Sequence, residues 1–156
     1  MKKSQINFDY SQPDFYHFSS DSIELAKRVY KDNCNKNIFS MADIFCGCGV
    51  IGIEILNYGL RPNEIVFVEK NDSFTTHFKN NINAVLDLSI EKKSICYLEK
   101  DLFEMELNKR FDLIVANPPY FYPQQTRLSD NQGKNLARFY HGFKFKDVVL
   151  KVLELL

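Results

Sequence analysis

The chain has 156 residues, 45% hydrophobic and 26% charged, which suits one soluble domain with a sizeable core. Lys+Arg and Asp+Glu stand at 20 each, so no whole-chain charge points to nucleic acid, and only a local basic patch could do so. The start, Met1 to Asn7, does not read as a signal peptide, no apolar run is long enough to span a bilayer, and the four Cys lack paired zinc-finger spacing, so a cytoplasmic chain with reduced thiols is expected.

Residues 1–20 are polar and aromatic with one proline and read as an irregular arm. A helix is predicted from Ser20-Asp21, with Asp21 and Glu24 spaced as a capping box, running through Ile23, Leu25, Ala26 and Val29. Ile38 to Phe45 reads as a strand, and Val50 to Tyr58 as a helix closed near Gly59. After a turn at Pro62-Asn63, Glu64 to Val68 is a second strand, and Asp72 to about Leu88 is helical. Ser94 to Leu98 and Phe111 to Ala116 are the third and fourth strands, Pro123 to Gly133 is a polar loop, and Phe143 to Leu156 is a last helix. Strands alternating with helices predict an α/β fold with a mostly parallel sheet and flanking helices.

Asn117-Pro118-Pro119-Tyr120 leaves the carboxyl end of the fourth strand, where open α/β sheets bind ligands. Asn offers an amide oxygen, and the prolines fix the backbone and leave the first Pro carbonyl outside helix or sheet duties. Tyr adds a flat face for stacking. Such a turn can hold a planar amino group by two acceptors. The Tyr120-Phe121-Tyr122 run fits a stacking platform, with an aromatic cap on the sheet as the alternative.

The second constellation is Asp43-Ile44-Phe45-Cys46-Gly47-Cys48-Gly49-Val50-Ile51-Gly52. Gly47, Gly49 and Gly52 satisfy G-x-G-x-x-G between a predicted strand and a predicted helix. Gly47 permits a tight turn and Gly49 lets backbone approach a ligand; a plain glycine-rich turn is the bland alternative. Cys46 and Cys48 read as close packing within the turn. Glu69, about 20 residues beyond the glycines, can accept both hydroxyls of a ribose, or else be a solvated acid paired with Lys70. Together the loop and Glu69 imply an adenosine-containing cofactor. A carboxylate at Asp43 would repel a diphosphate and attract a cation. That suits S-adenosylmethionine, which carries an ammonium and a sulfonium and no phosphate. Asp43 could equally order the turn by a hydrogen bond. His17, His77 and His141 have no partners at ligand spacing, so no metal is expected.

These residues resemble the Rossmann-type, S-adenosylmethionine-dependent methyltransferases, in particular the amino-methylating members with an N-P-P-Y turn. The segment Gln12 to Ser22 and the loop through Ala137-Arg138 are similar to the bacterial subgroup that methylates adenine N6 next to the anticodon of valine tRNA. The resemblance implies that residues 1–20 close over the cofactor, with Phe18, Ser20 and Asp21 near its methionine end, and that 21–156 form a partial methyltransferase domain. It implies that Asp43, Gly47 and Gly49 form the amino-acid and ribose pocket and that Glu69 takes the ribose hydroxyls. Asp101 would accept from the adenine amino group, or else be a turn or cap residue, and Leu102 would offer its N–H. Asn117, Pro118, Pro119 and Tyr120 would carry the transfer, Asn117 also touching the cofactor, with tRNA as partner. Lys134, Arg138, Lys144 and Lys146 could touch its phosphates or form a solvated face.

The family's sheet extends beyond four strands, whereas this sequence reaches only the fourth and stops inside an amphipathic helix. A C-terminally truncated enzyme with an open apolar edge at the fourth strand is therefore expected. Methylation of a protein glutamine amide, and a remnant that binds the cofactor without activity, stay open beside the tRNA reading.

Overall fold

The computed structural model describes residues 9–85, 95–105, 110–119, 130, 135 and 143–156. Four parallel strands, β1 (Ser40–Ile44), β2 (Glu64–Glu69), β3 (Ile95–Glu99) and β4 (Leu113–Ala116), form a sheet of order β3-β2-β1-β4. The helices are α1 (Ser20–Asn33), α2 (Val50–Tyr58), α3 (Thr75–Val85) and α4 (Phe145–Leu155). The chain winds one way from β1 through β2 to β3, then returns to place β4 on the other side of β1. That reversal opens a crevice at the carboxyl end of β1, the expected ligand position in a doubly wound sheet. The predicted α/β fold is therefore present.

Every β1 residue is buried, because both faces of the sheet are covered. On one face Met41, Ile65, Phe67 and Val115 pack with Ile53, Leu56 and Phe78 from α2 and α3 and with Ala26 from α1. On the other, Ala42, Ile44, Val66 and Val68 pack with Val148 and Leu155 of α4. α4 also shows an exposed apolar side, with Phe145 and Leu153 more than half accessible. β4 is pinned to β1 by Asp112, whose Oδ2 accepts from the Phe39 and Ser40 N–H groups at 2.9 and 2.8 Å. Among the described residues β4 pairs with β1 alone, in line with the edge position expected for it.

Element boundaries differ from the sequence reading in instructive places. α2 spans the predicted residues because glycines in left-handed conformation stop it at both ends, Gly49 at φ 81° and Gly59 at φ 117°. The capping box predicted at Asp21 and Glu24 is not formed. The N-cap is Ser19, which puts Ser22 at the position where the box needs its acid. Glu24 instead pairs with Lys27 at 3.3 Å, and Asp21 remains in the first turn, where it favours the positive end of the helix. The helix predicted from Asp72 opens as a 3-10 turn (Asp72–Phe74), capped by the Asn71 side chain on the Ser73 N–H.

α2 lies unusually close to the sheet. A Cβ at Gly52 would stand 2.4 Å from the Phe67 ring and 2.9 Å from Asp43 Oδ2. Overpacking of this kind costs about 1–3 kcal/mol, against about 1 kcal/mol of helix propensity that Gly52→Ala would gain. We expect Gly52→Ala to lower the urea unfolding free energy by about 1–2 kcal/mol; a midpoint equal to or above that of the parent would disprove the close contact.

Candidate functional site

The carboxyl ends of β1, β2 and β4 form one row: Ile44 pairs with Val68 on one side and with Ala116 on the other. Phe45, Glu69 and Asn117 come next along the three strands, and all three line a single cavity of about 200 Å³. Parallel strands thus bring together the three sequence segments that carried the chemical argument.

The floor is the glycine loop. Phe45, Gly47 and Gly49 all have positive φ, at 60°, 53° and 81°. The turn is closed by the Gly49 N–H on the Cys46 carbonyl at 2.8 Å, and tied to β2 by the Cys46 N–H on the Val68 carbonyl. Gly49 must be glycine on two counts, since a Cβ there would also meet the Phe78 ring at 2.7 Å. Phe45 is the non-glycine that accepts this conformation, at a cost of about 1–3 kcal/mol. Cys46 and Cys48 are buried in the turn, and burial pushes both thiols up, Cys48 to about 12. They are packed, unreactive thiols, as the sequence suggested.

Two carboxylates hold this loop. Asp43 is fully buried, and its Oδ2 accepts from the Gly52 N–H at 2.8 Å, the turn-ordering role read from the sequence. Its Oδ1 has no hydrogen-bond partner among the described residues. Burial pushes the carboxyl up to about 7, against the pull of the Gly52 N–H and with help from the Glu69 charge. Asp43 lies behind the loop and does not line the cavity. Glu69 does. Its Oε2 accepts from the Gly47 N–H at 3.0 Å and its Oε1 from the Asn71 N–H at 2.8 Å. Burial raises its pKa too, opposed by those N–H groups. It is half-buried, and the Lys70 charge also pulls its pKa down, without an ion pair between the two. Lys70 instead reaches Asp101 at 3.2 Å.

The remaining predicted residues fall around the rim. Phe18 lines the cavity together with Gln12 and Tyr16 of the arm and Ser22 of α1, and the Gln12 Oε1 accepts from the Phe18 N–H at 2.9 Å. Ser20 and Asp21 are exposed in the first turn of α1, outside the lining. Asp101 caps the 3-10 turn Leu102–Glu104 through the Phe103 N–H at 3.0 Å, the local role weighed for it in the sequence. Leu102 is buried and lines a small cleft that shares Phe45, Glu69 and Lys70 with the cavity. Asn117 and Pro119 line the cavity itself, and Pro118 is buried beside them. Tyr120, Phe121, Tyr122, Lys134, Ala137, Arg138 and His141 lie outside the described residues. Lys144 and Lys146 are exposed at the start of α4. Among the described residues no group of three His, Cys, Asp or Glu could hold a metal, and no helix is long and apolar enough to cross a membrane.

The structure adds an aromatic wall that sequence reasoning missed. The Phe143 ring stacks on Phe45 with centroids 6.1 Å apart and tilts against Phe103 at 5.1 Å. Lys70 Nζ stands 5.7 Å from the Phe143 centroid, within cation–π range. Phe45 was hidden because it reads as the last residue of an apolar strand. The signal that marks it is backbone conformation, which composition does not carry.

Comparison with known proteins follows the same lines. A family described as "Methyltransferase small domain" matches residues 14–133. A release factor glutamine methyltransferase of Clostridium botulinum is 35% identical over 102 residues, which is 64% of this chain and 34% of that protein. A tRNA1(Val) (adenine(37)-N6)-methyltransferase of Haemophilus influenzae is 31% identical over 122 residues, 77% of this chain and 48% of that protein. The chain thus spans a third to a half of the length of these curated relatives. Among solved structures, a candidate RNA methyltransferase of Pyrococcus horikoshii superposes with a TM-score of 0.61 at 20% identity, over 90% of this chain and 57% of that one. The ribosomal protein L11 methylase of Lactobacillus delbrueckii gives a TM-score of 0.52 at 21% identity, over 67% of this chain and 49% of that one. At these identities the two structures speak for the fold, a Rossmann-like methyltransferase sheet.

Asp43 binds its proton more tightly in the folded chain, with a folded value near 7, than in the unfolded chain, where an Asp titrates near 3.9. Its contribution to stability is therefore full below about pH 4 and is lost as pH rises toward 7, by at most about 4 kcal/mol. Asp43→Asn removes this titration. The unfolding free energy of the parent, measured relative to Asp43→Asn, should fall between about pH 4 and 7 and level off above. A difference that does not change with pH would remove Asp43 as the titrating group.

Proposed function

The chain belongs to the methyltransferase small domain family, and from that premise we propose that its cavity binds S-adenosylmethionine and that the protein methylates an exocyclic amino group, with N6 of adenine in a cytoplasmic tRNA as the acceptor. The observation that carries this reading is the shared cavity: Asn117 and Pro119 face the same space as Gly47 and Glu69. On this reading an amino-group acceptor site and a ribose acceptor site adjoin.

The residues present suit that donor. The carboxylate on the cavity wall, Glu69, can take hydroxyl donors, because a carboxylate offers about four lone-pair sites and the Gly47 and Asn71 N–H groups occupy two. Lys70, the cation on the wall, is ion-paired with Asp101. A diphosphate would meet buried acids and a cation already engaged, whereas a cationic ligand finds Glu69 on the wall and the unpartnered Asp43 Oδ1 behind the loop. When bound, S-adenosylmethionine supplies an electrophilic methyl group on its sulfonium.

The chain's own part in transfer is electrostatic. An exocyclic adenine nitrogen is a weak nucleophile because its lone pair is spread into the ring. The Asn117 side-chain oxygen and the Pro118 carbonyl accept its two hydrogens and so concentrate the lone pair toward the methyl group. Fixed dipoles also stabilise the positive charge that grows on that nitrogen, so no carboxylate base is required, and solvent takes the proton. Tyr120 stacks on the base, which must leave its own stack to enter.

A protein glutamine amide is the second reading, favoured by the 35% identity to the release factor enzyme. The tRNA reading stands first because its match extends over 77% of the chain rather than 64%.

Calorimetry of this chain with S-adenosylmethionine and with its demethylated product tests the cofactor, and Glu69→Ala is expected to weaken binding by about tenfold or more. Labelled S-adenosylmethionine with total tRNA and with total protein then tests the acceptor. Asn117→Ala is expected to cut transfer by roughly 100-fold while leaving the donor affinity within a few-fold. Label in protein alone would replace the tRNA reading by the glutamine one. Binding without label in either pool would reduce the chain to a cofactor-binding unit.

A further inference from the structure

One buried polar side chain is left over by that account. Asn81, on α3, is 2% exposed and does not line the cavity. Its Oδ1 accepts from the Ser11 N–H at 2.7 Å, and its Nδ2 donates to the Ser11 carbonyl and to the Cys48 carbonyl, both at 3.0 Å. A single amide therefore reads both backbone groups of one arm residue and holds one carbonyl of the glycine loop. Both of its N–H donors are used and its oxygen is engaged, so the fit is specific to an amide. Aspartate would set a carboxylate oxygen against two carbonyls, and an apolar side chain would leave three backbone groups unsatisfied in a buried place.

The rest of the same helix face points to the same purpose. Four residues before Asn81, His77 Nδ1 stands 2.8 Å from Ser11 Oγ. Three residues before it, the Phe78 ring fills the space that a Cβ at Gly49 would take. Residues at these spacings share one side of a helix. That side grips the arm with His77 and Asn81 and the glycine loop with Phe78 and Asn81. The arm supplies Gln12, Tyr16 and Phe18 to the cavity and the loop supplies Gly47.

We propose that Asn81 is a positioning residue for the donor site: it locks the arm and the glycine loop into one geometry, so that donor affinity depends on a side chain that does not touch the donor. This inference rests on the cofactor reading given above and goes beyond it. A merely structural asparagine would lower stability on removal but leave the affinity of the remaining folded chain unchanged. A positioning asparagine couples energetically to the arm residues that line the cavity.

The test uses the whole chain and two readouts. Hydrogen exchange of the ligand-free chain is measured first. In Asn81→Ala the amides of Ser11 and Phe18 are expected to exchange about tenfold faster or more, because the arm opens locally. Titration with S-adenosylmethionine, at a temperature where circular dichroism reports a folded chain, is then expected to give a dissociation constant about tenfold higher. A double-mutant cycle decides the mechanism: Phe18→Ala weakens binding when Asn81 is present and changes it little in the Asn81→Ala background. If Asn81→Ala does not fold, Asn81→Ser is measured in its place, with the same coupling expected. Unchanged arm exchange, an affinity within about twofold of the parent, or a Phe18→Ala effect that multiplies in full would each overturn the proposal. A parent chain that binds no donor overturns the cofactor reading and, with it, the coupling, and is told apart by arm exchange that still responds to Asn81.

Discussion

The hydrogen bond from the Gly52 N–H to the fully buried Asp43 is the constraint on which the site depends. Gly52 sits in the first turn of α2, where backbone N–H groups lack helical partners and the helix end is positive. A carboxylate at the end of β1 satisfies one of them and draws α2 onto the strand. Closeness follows, and only glycine fits under the Phe67 ring at position 52. The loop between strand and helix is then too short for ordinary backbone, which explains the run of positive φ at Phe45, Gly47 and Gly49. Burying the carboxyl is unfavourable, as its rise toward 7 records. The return is a rigid loop whose Gly47 N–H is aimed at Glu69.

Most of the acids that the sequence marked are engaged by the chain itself. Glu69 holds two backbone N–H groups, Asp101 holds the Phe103 N–H and Lys70, and Asp43 holds Gly52. A site of this kind is pre-organised: its groups are already oriented, and a ligand adds to bonds that persist, which lowers the cost of ordering on binding. Glu69 is the clearest example, since it lines the cavity while backbone N–H groups of Gly47 and Asn71 hold its carboxylate. The arm acts in the same sense. Phe15 and Tyr16 pack edge-on to Phe74 at 5.9 and 5.6 Å, and Tyr10 packs against Phe18 at 5.4 Å, so that side of the cavity is held by the chain's own aromatic packing.

What the sequence disclosed and what it withheld follow from range. Features fixed locally were legible: α2 between Gly49 and Gly59, the Asp43 hydrogen bond to the glycine loop, and the place of Asn117 at the carboxyl end of β4. The strand pattern was legible as well, because both faces of the sheet demand apolar runs. Features that depend on partners far apart in the chain were not. The Ser11–Asn81 contact joins residues 70 positions apart and has no local signature. The capping box failed because the helix began two residues earlier than its spacing required. Phe45 failed for a different reason: an apolar residue after an apolar strand continues the pattern, while its backbone has already turned left-handed. Asp101 shows the limit of motif reasoning, since the same aspartate that could read a base is a cap and an ion-pair partner.

The proline turn explains why the acceptor is harder to read than the donor. On the proposed reading its two acceptors, the Asn117 amide oxygen and the Pro118 carbonyl, take a planar amino group with a delocalised lone pair. Adenine and a glutamine amide both present one. On that reading the turn would set the reaction class and leave the choice of substrate to its surroundings. An adenine brings a broad aromatic face that gains from stacking, worth about 1–3 kcal/mol per base, whereas an amide brings only its small plane. Phe45 and Phe143 line the same cavity as Glu69 and Asn117, with Lys70 over the Phe143 ring. If the proposed function holds, discrimination between the two acceptors would fall to the residues that follow Pro119 and to whatever surface meets the rest of the substrate.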